Sequence, residues 1–146
     1  PPWDMFGLPR IIVDENSYEK MFAAVPDKHN GITFCTGSLG AGRFNDLPAM
    51  AAKYAHRIYF AHIRQLKYGD GKDFAEAGHL TEAGSLDIYA IVKSLVSSGF
   101  DGYVRPDHGR NIWGEDGKPG YGLYDRALGA AYLNGLFEAI EKDMRK

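Results

Sequence analysis

Gly102-Tyr-Val-Arg-Pro-Asp-His-Gly-Arg110 is the stretch on which the reading of this chain turns. A short β-prone run, residues 102–104, meets an acid and a histidine side by side, Asp107 and His108, and Gly109 then turns the backbone away. This is the pattern of a strand that carries its polar groups at its C-terminal tip. Two earlier runs share the design. Gly31-Ile-Thr-Phe-Cys-Thr-Gly37 ends beside the single cysteine, Cys35, and Ile58-Tyr-Phe-Ala-His-Ile-Arg64 ends beside His62. Three strands that each bring a possible metal ligand to the same end say more than any one of them alone.

Between these runs the sequence alternates with helical patterns. Asn16 with Glu19 reads as a capping box ahead of a helix over 17–25, which Pro26 stops. Gly37, Gly40 and Gly42 predict a flexible loop, and their spacing does not make a dinucleotide fingerprint. Asn45 or Asp46 caps a helix with Pro48 in its first turn. Residues 67–84 read as one long loop of the length used for lids and binding loops. A helix then starts at Ser85, with Leu86, Tyr89, Ile91 or Val92, and Leu95 or Val96 at helical spacing, and ends at Gly99. The third strand is expected over 103–107, a second long loop over 109–120, and a last helix over 123–144 with Leu128, Tyr132, Leu136 and Ile140 on one stripe.

Strands alternating with helices imply parallel βαβ units with right-handed crossovers. The predicted class is therefore α/β, about three parallel strands with their helices: a small open sheet or a slice of a larger one such as a (β/α)₈ barrel. In both, the active site lies beyond the C-terminal strand ends, where Cys35, His62 and Asp107 fall. Composition agrees with one globular domain: 146 residues, 45% hydrophobic and 25% charged. A net charge of −2 without basic clusters speaks against nucleic acid, and no run is apolar for long enough to span a membrane. The lone Cys35 allows no internal disulfide and fits a reducing, cytoplasmic setting. The chain opens Pro1-Pro2-Trp3 with no initiator methionine, as expected of a processed or excised piece.

Alternation along each strand puts Thr33 with Cys35, Phe60 with His62, and Arg105 with Asp107 on shared faces. Thiol, imidazole and carboxylate together suit a divalent transition ion better than Mg²⁺ or Ca²⁺, which prefer oxygen only. Each residue also has a commoner structural role: Cys35 as a small buried apolar group, His62 as a satisfied core histidine, Asp107 as a turn cap. The imidazole of His108 and the phenol of Tyr121 are acid–base candidates. Arg64, Arg105, Arg110 and Arg126 cluster near the strand ends in sequence, and up to two of them are expected to hold an anionic substrate.

Phe34-Cys-Thr-Gly-Ser38, Phe60-Ala-His-Ile-Arg64, Arg105-Pro-Asp-His-Gly-Arg110, and Pro119-Gly-Tyr121 with Asp125-Arg126 together resemble the C-terminal half of the D-mannonate dehydratases, over essentially the whole chain. The resemblance implies a (β/α)₈ barrel of the xylose isomerase-like group and a lyase that converts the sugar acid D-mannonate to 2-keto-3-deoxy-D-gluconate in hexuronate (glucuronate) breakdown. It implies Mn²⁺, Fe²⁺ or another divalent transition ion held by Cys35, His62 and Asp107, with His108 and Tyr121 in proton transfer. The substrate-binding set expected on this reading is Arg64, Arg110, Arg126 and His79.

The family's fourth metal ligand is a histidine in a His-Pro-Asp-Asp segment directly before Pro-Pro-Trp, and this sequence begins just after that segment. Residues 1–146 are therefore expected to form a single partial domain, the C-terminal portion of a barrel, inactive alone and completed by an N-terminal half or another copy. A homo-oligomer, a dimer, is expected. Two other readings stand beside this one: a metal-dependent sugar isomerase or epimerase on the same barrel, and a non-catalytic half-barrel fragment.

Overall fold

The computed structural model describes residues 1–145. Three parallel strands, β1 (Ile32–Cys35), β2 (Ile58–His62) and β5 (Tyr103–Arg105), form a sheet in the order β1-β2-β5. Around them run α1 (Glu15–Ala24), α2 (Thr36–Gly40), α3 (Leu47–Tyr54), α4 (Ile88–Ser97) and α5 (Leu123–Met144). A separate antiparallel hairpin, β3 (Leu66–Tyr68) with β4 (Phe74–Glu76), rises after β2. Parallel strands joined through helices make this α/β fold part of a (β/α)₈ barrel. No helix among the described residues is long and apolar enough to cross a membrane.

Several helix starts differ from expectation for local reasons. The Asp14 carboxylate accepts the Ser17 N–H at 2.8 Å, so α1 begins two residues early and Asn16 lies inside it. Glu19 then points away from the cap, taking the Tyr54 hydroxyl at 2.6 Å and the Lys53 ammonium at 2.7 Å. The glycine segment after β1 is not a flexible loop but the short α2. Gly37 is needed there for closeness, since a Cβ would lie 2.5 Å from Cδ of Arg64. Asp46 caps α3 by accepting from Ala49 N, with Pro48 in the first turn.

Residues 67–84 are more ordered than a loop. The cause is Gln65, only 2% exposed, whose amide nitrogen donates to the carbonyls of Leu80, Thr81 and Leu86. Its amide oxygen accepts from the Leu66 and Leu86 N–H groups. One buried side chain thus ties the end of β2 to the entry of α4, with the hairpin folded between them. Helix α4 starts after Asp87, its cap, and buries Ile88, Ile91, Val92 and Leu95 while Tyr89 faces out. In α5 the buried stripe runs through Asp125, Gly129, Leu133 and Ile140, so Leu128 is exposed. The Glu115 carboxylate reaches in from the preceding loop to accept the Leu123 N–H at 2.6 Å, which serves as a cap for that helix.

The core lies on the helix side of the sheet. Phe34, Ile58 and Ala61 from the strands join Met50, Ala51, Val92 and Leu95 from α3 and α4 in one buried cluster. The opposite face carries Thr33, Phe60 and Tyr103 in one register row, and Tyr103 is 83% exposed. Leu95 is fully buried between these layers. Leu95→Ala in the full-length protein is expected to cost ~2–5 kcal/mol, the range for deleting a buried leucine side chain, seen as a lower urea midpoint with an unchanged slope.

Candidate metal centre

Cys35 and His62 are the last residues of their strands and are direct register partners, with Arg105 next in the same row. Asp107 is not on the strand, as alternation had suggested. β5 stops at Arg105, Pro106 offers no N–H to a ladder, and Asp107 adopts φ 63°, a left-handed conformation that aspartate tolerates better than most residues. From there its carboxylate meets the strand tips: Oδ1 lies 3.4 Å from His62 Nδ1, and Oδ2 lies 3.8 Å from Cys35 Sγ. One donor atom from each of the three residues lies within 4.8 Å of the others.

The donor set fits a transition ion. Ligands held at ~2.0–2.3 Å from a shared ion lie at most about 4.5 Å apart, so a small contraction suffices. His62 Nε2 is buried and has no hydrogen-bond partner, the state of a ring that lacks a ligand or donor. Burial lowers the His62 pKa; Asp107 opposes this while Arg105 and His108 add to it, and the net effect favours the neutral, ligating imidazole. Arg105 Nη2 donates to Asp107 Oδ1 at 2.8 Å and holds that carboxylate in place.

These groups open on a cleft of about 470 Å³ lined by Thr33, Cys35, His62, Arg64, Asp107 and His108. His108 Nδ1 lies 2.7 Å from Glu76 Oε1, and Nε2 lies 3.7 Å from Asp107 Oδ2. The Tyr121 ring is near-parallel to that of His108, with centroids 6.3 Å apart. A backbone pinch sets this pair: Gly109 N donates to Gly120 O and Gly122 N donates to Gly109 O. Only glycine fits at 109, because a Cβ would sit 2.3 Å from the Gly122 carbonyl oxygen.

The cationic candidates divide between places. Arg64 lines the cleft, but its guanidinium is held by both oxygens of Glu76, at 2.9 Å from Nε and 2.5 Å from Nη2. Arg126 turns back on the loop, donating to the Gly122 and Tyr121 carbonyls, with its guanidinium 5.6 Å from the Tyr121 ring centre. Arg110 and His79 meet on Asp125 rather than among the residues lining the cleft. Asp125, 1% exposed, accepts from Arg110 N at 2.7 Å, Nε at 2.9 Å and Nη2 at 3.1 Å, while His79 Nε2 is 2.7 Å from its carbonyl oxygen. Sequence reasoning assigned a role to neither organising carboxylate, although Asp125 stands in the quoted Asp125-Arg126 motif. Asp125 sits beside a residue it did single out, Arg126, whereas Glu76 lies in a segment read as loop and gives no local signal.

Parallel strands that deliver a thiol, an imidazole and a carboxylate to one end, under a loop bearing a histidine and a phenol, define an α/β-barrel protein with a candidate metal centre. Comparison with known proteins narrows the class. The family model for D-mannonate dehydratase (UxuA) matches residues 1–146, and the chain belongs to that family. It is 52% identical over 141 residues to a mannonate dehydratase of Oceanobacillus iheyensis and 53% identical over 144 residues to one of Thermotoga maritima. Each match covers 97% of this chain but 40% of the relative, so the chain spans about two-fifths of the length of the curated relatives it matches. A crystal structure of mannonate dehydratase from Streptococcus suis serotype 2 superposes with a TM-score of 0.92 at 47% identity, over 100% of this chain and 42% of that one.

The Asp125 pairing has a pH signature. Burial alone would raise its pKa, but the Arg110 hydrogen bonds, with the charges of His79 and Arg110, outweigh burial and hold it below the usual carboxylate range. A depressed folded-state pKa adds stability that is fully present above the unfolded value of ~3.9 and is lost as pH falls through the folded value. Asp125→Asn is therefore expected to be less stable than wild type at neutral pH, by about 1–3 kcal/mol, since charged hydrogen bonds are lost but the part-exposed Arg110 regains water. Thermal melts of the full-length protein should show the difference shrinking as pH drops below the ordinary aspartate range; a constant difference would mean that charge at Asp125 is not its source.

Proposed function

We propose that the full-length protein is a lyase that removes water from D-mannonate to give 2-keto-3-deoxy-D-gluconate, in the cytoplasmic breakdown of hexuronates such as glucuronate. One observation carries the reading: Cys35, His62 and Asp107 converge at the strand ends of a chain that the D-mannonate dehydratase family matches from end to end. In the reaction the C2–H bond breaks and its electrons form a C2=C3 double bond. The C3–O bond breaks, the hydroxyl departs as water, and the resulting enol tautomerises to the 2-keto acid.

Cys35, His62 and Asp107 would hold a divalent transition ion, Mn²⁺ or Fe²⁺, whose Lewis acidity offsets the negative charge that builds on the substrate carboxylate. Residues of this chain do the rest. His108, which lines the cleft, and Tyr121 beside it would act as an acid–base pair, one taking the C2 proton and the other protonating the departing C3 hydroxyl. Of the arginines, Arg64 and Arg126 serve as cations for the sugar acid, while Arg110 and His79 brace the loop through Asp125. The bare row Thr33, Phe60 and Tyr103 would be covered by further strands that close the barrel, from the N-terminal half or a second copy, within a homodimer.

Incubating the full-length protein with D-mannonate and Mn²⁺ should yield a keto-deoxy acid lighter by one water; a ketose of unchanged mass would indicate an isomerase instead. Tyr121→Phe removes one hydroxyl and should leave metal content intact while turnover falls ~10²–10⁴-fold. Cys35→Ser should act differently, lowering metal affinity because a hydroxyl is a weaker ligand for a borderline ion than a thiolate, as read by metal titration of the apoprotein.

A further inference from the structure

Glu76 stands outside the donor set, yet it is the only carboxylate among the described residues recorded in contact with both His108 and Arg64. It sits at the end of β4, on the hairpin that folds over the strand tips, and is about one-quarter exposed. Oε1 faces His108 Nδ1 at 2.7 Å, and both oxygens take the Arg64 guanidinium. Arg64 is itself anchored, since its backbone N–H donates to the buried Thr36 hydroxyl at 2.7 Å and its side chain lies over Gly37. A chain of contacts therefore runs from the strand tips through Arg64 and Glu76 to the His108 ring.

We infer that Glu76, held by Arg64, is a positioning residue that fixes the His108 ring as its Nδ1–H tautomer and leaves Nε2 as the nitrogen that moves the substrate proton. A carboxylate is only an acceptor, so the ring atom facing it must carry hydrogen. The second nitrogen then points to the Asp107 side of the cleft with its lone pair free. This gives Arg64 a second duty besides any contact with substrate, because a guanidinium bound by both Glu76 oxygens also stops the carboxylate from swinging away. The inference rests on the dehydratase reading for what His108 does to substrate, but not for how its ring is held.

The test is ¹⁵N NMR of histidine-labelled full-length protein at mildly alkaline pH, with zinc as a diamagnetic ion and His108 assigned by His108→Gln. Wild type should show Nδ1–H at His108, and Glu76→Ala should move it toward Nε2–H. If that variant does not fold, Glu76→Asp, which withdraws the carboxylate by one methylene, serves the same purpose. In parallel, Glu76→Gln should lower kcat by ~10–100-fold, the usual cost of losing the partner that orients a working histidine, with KM and metal content little changed. An Nδ1–H tautomer that persists without the carboxylate, or a Glu76→Gln enzyme with wild-type kcat, would overturn the inference. A wild type that shows the Nδ1–H tautomer, lost on Glu76→Ala, yet does not dehydrate D-mannonate would overturn the functional reading and leave the role of Glu76 in orienting the ring intact.

Discussion

The site depends on a one-residue slip between β1 and β2. Ile32 pairs with Ile58, but Thr33 pairs with Phe60, so Tyr59 is the extra residue of a bulge. Without it Cys35 would face Ala61, which is fully buried on the helix side, and His62 would lose its partner. The bulge changes which face β2 presents partway along: Ile58 below it and Ala61 above it are both buried, three residues apart instead of two. Tyr59 holds the irregularity in place. Its ring fills the space over Gly31, where a Cβ would lie 2.2 Å away, and its hydroxyl donates to the Lys28 carbonyl. The thiol and the imidazole are neighbours because a tyrosine remote from the chemistry keeps the ladder out of step.

A second constraint is electrostatic. Two carboxylates from outside the parallel sheet, Glu76 and Asp125, each gather an arginine and a histidine. Cations near an active site invite assignment to the substrate. Here much of their hydrogen-bonding capacity is already committed within the protein, because a carboxylate as enclosed as that of Asp125 is tolerable only when its oxygens are satisfied. Asp125 also lies in the first turn of α5, where a negative charge complements the helix dipole. It therefore joins three pieces of backbone: the start of α5, the loop after Asp107 through Arg110, and the segment before α4 through His79.

Features set by short-range rules could be read from the sequence. The tip of β1 at Cys35, the start of β2 at Ile58, a cap at Asn45 or Asp46 and the extent of α5 follow from β-prone runs, a capping side chain and helical spacing, whereas β2 ends at His62, two residues before the expected Arg64. What could not be read depends on partners distant in sequence. The hairpin and the short 3₁₀ turn Thr81–Ala83 owe their order to Gln65, whose bonds span 15 to 21 residues. Glu76 acquires meaning only through His108, 32 residues away. Asp107 reaches the strand tips through a left-handed conformation after Pro106, and not through the strand alternation that the sequence suggested.

The metal-donor candidates and the His108–Tyr121 pair thus rest on different foundations. Cys35 and His62 belong to strands whose backbone bonds and buried reverse faces leave them little freedom, which suits atoms that must hold a fixed spacing. His108 and Tyr121 belong to a loop that is pinned only at points: by the Gly109 pinch, by Glu76 at one ring and by Arg126 beside the other. Tyr121 remains 54% exposed, so its phenol can move without disturbing the sheet. A rigid set of donor groups therefore stands beside a braced but accessible loop. The hairpin lets one accommodate the other, because Glu76 touches the loop at His108 and the sheet end at Arg64.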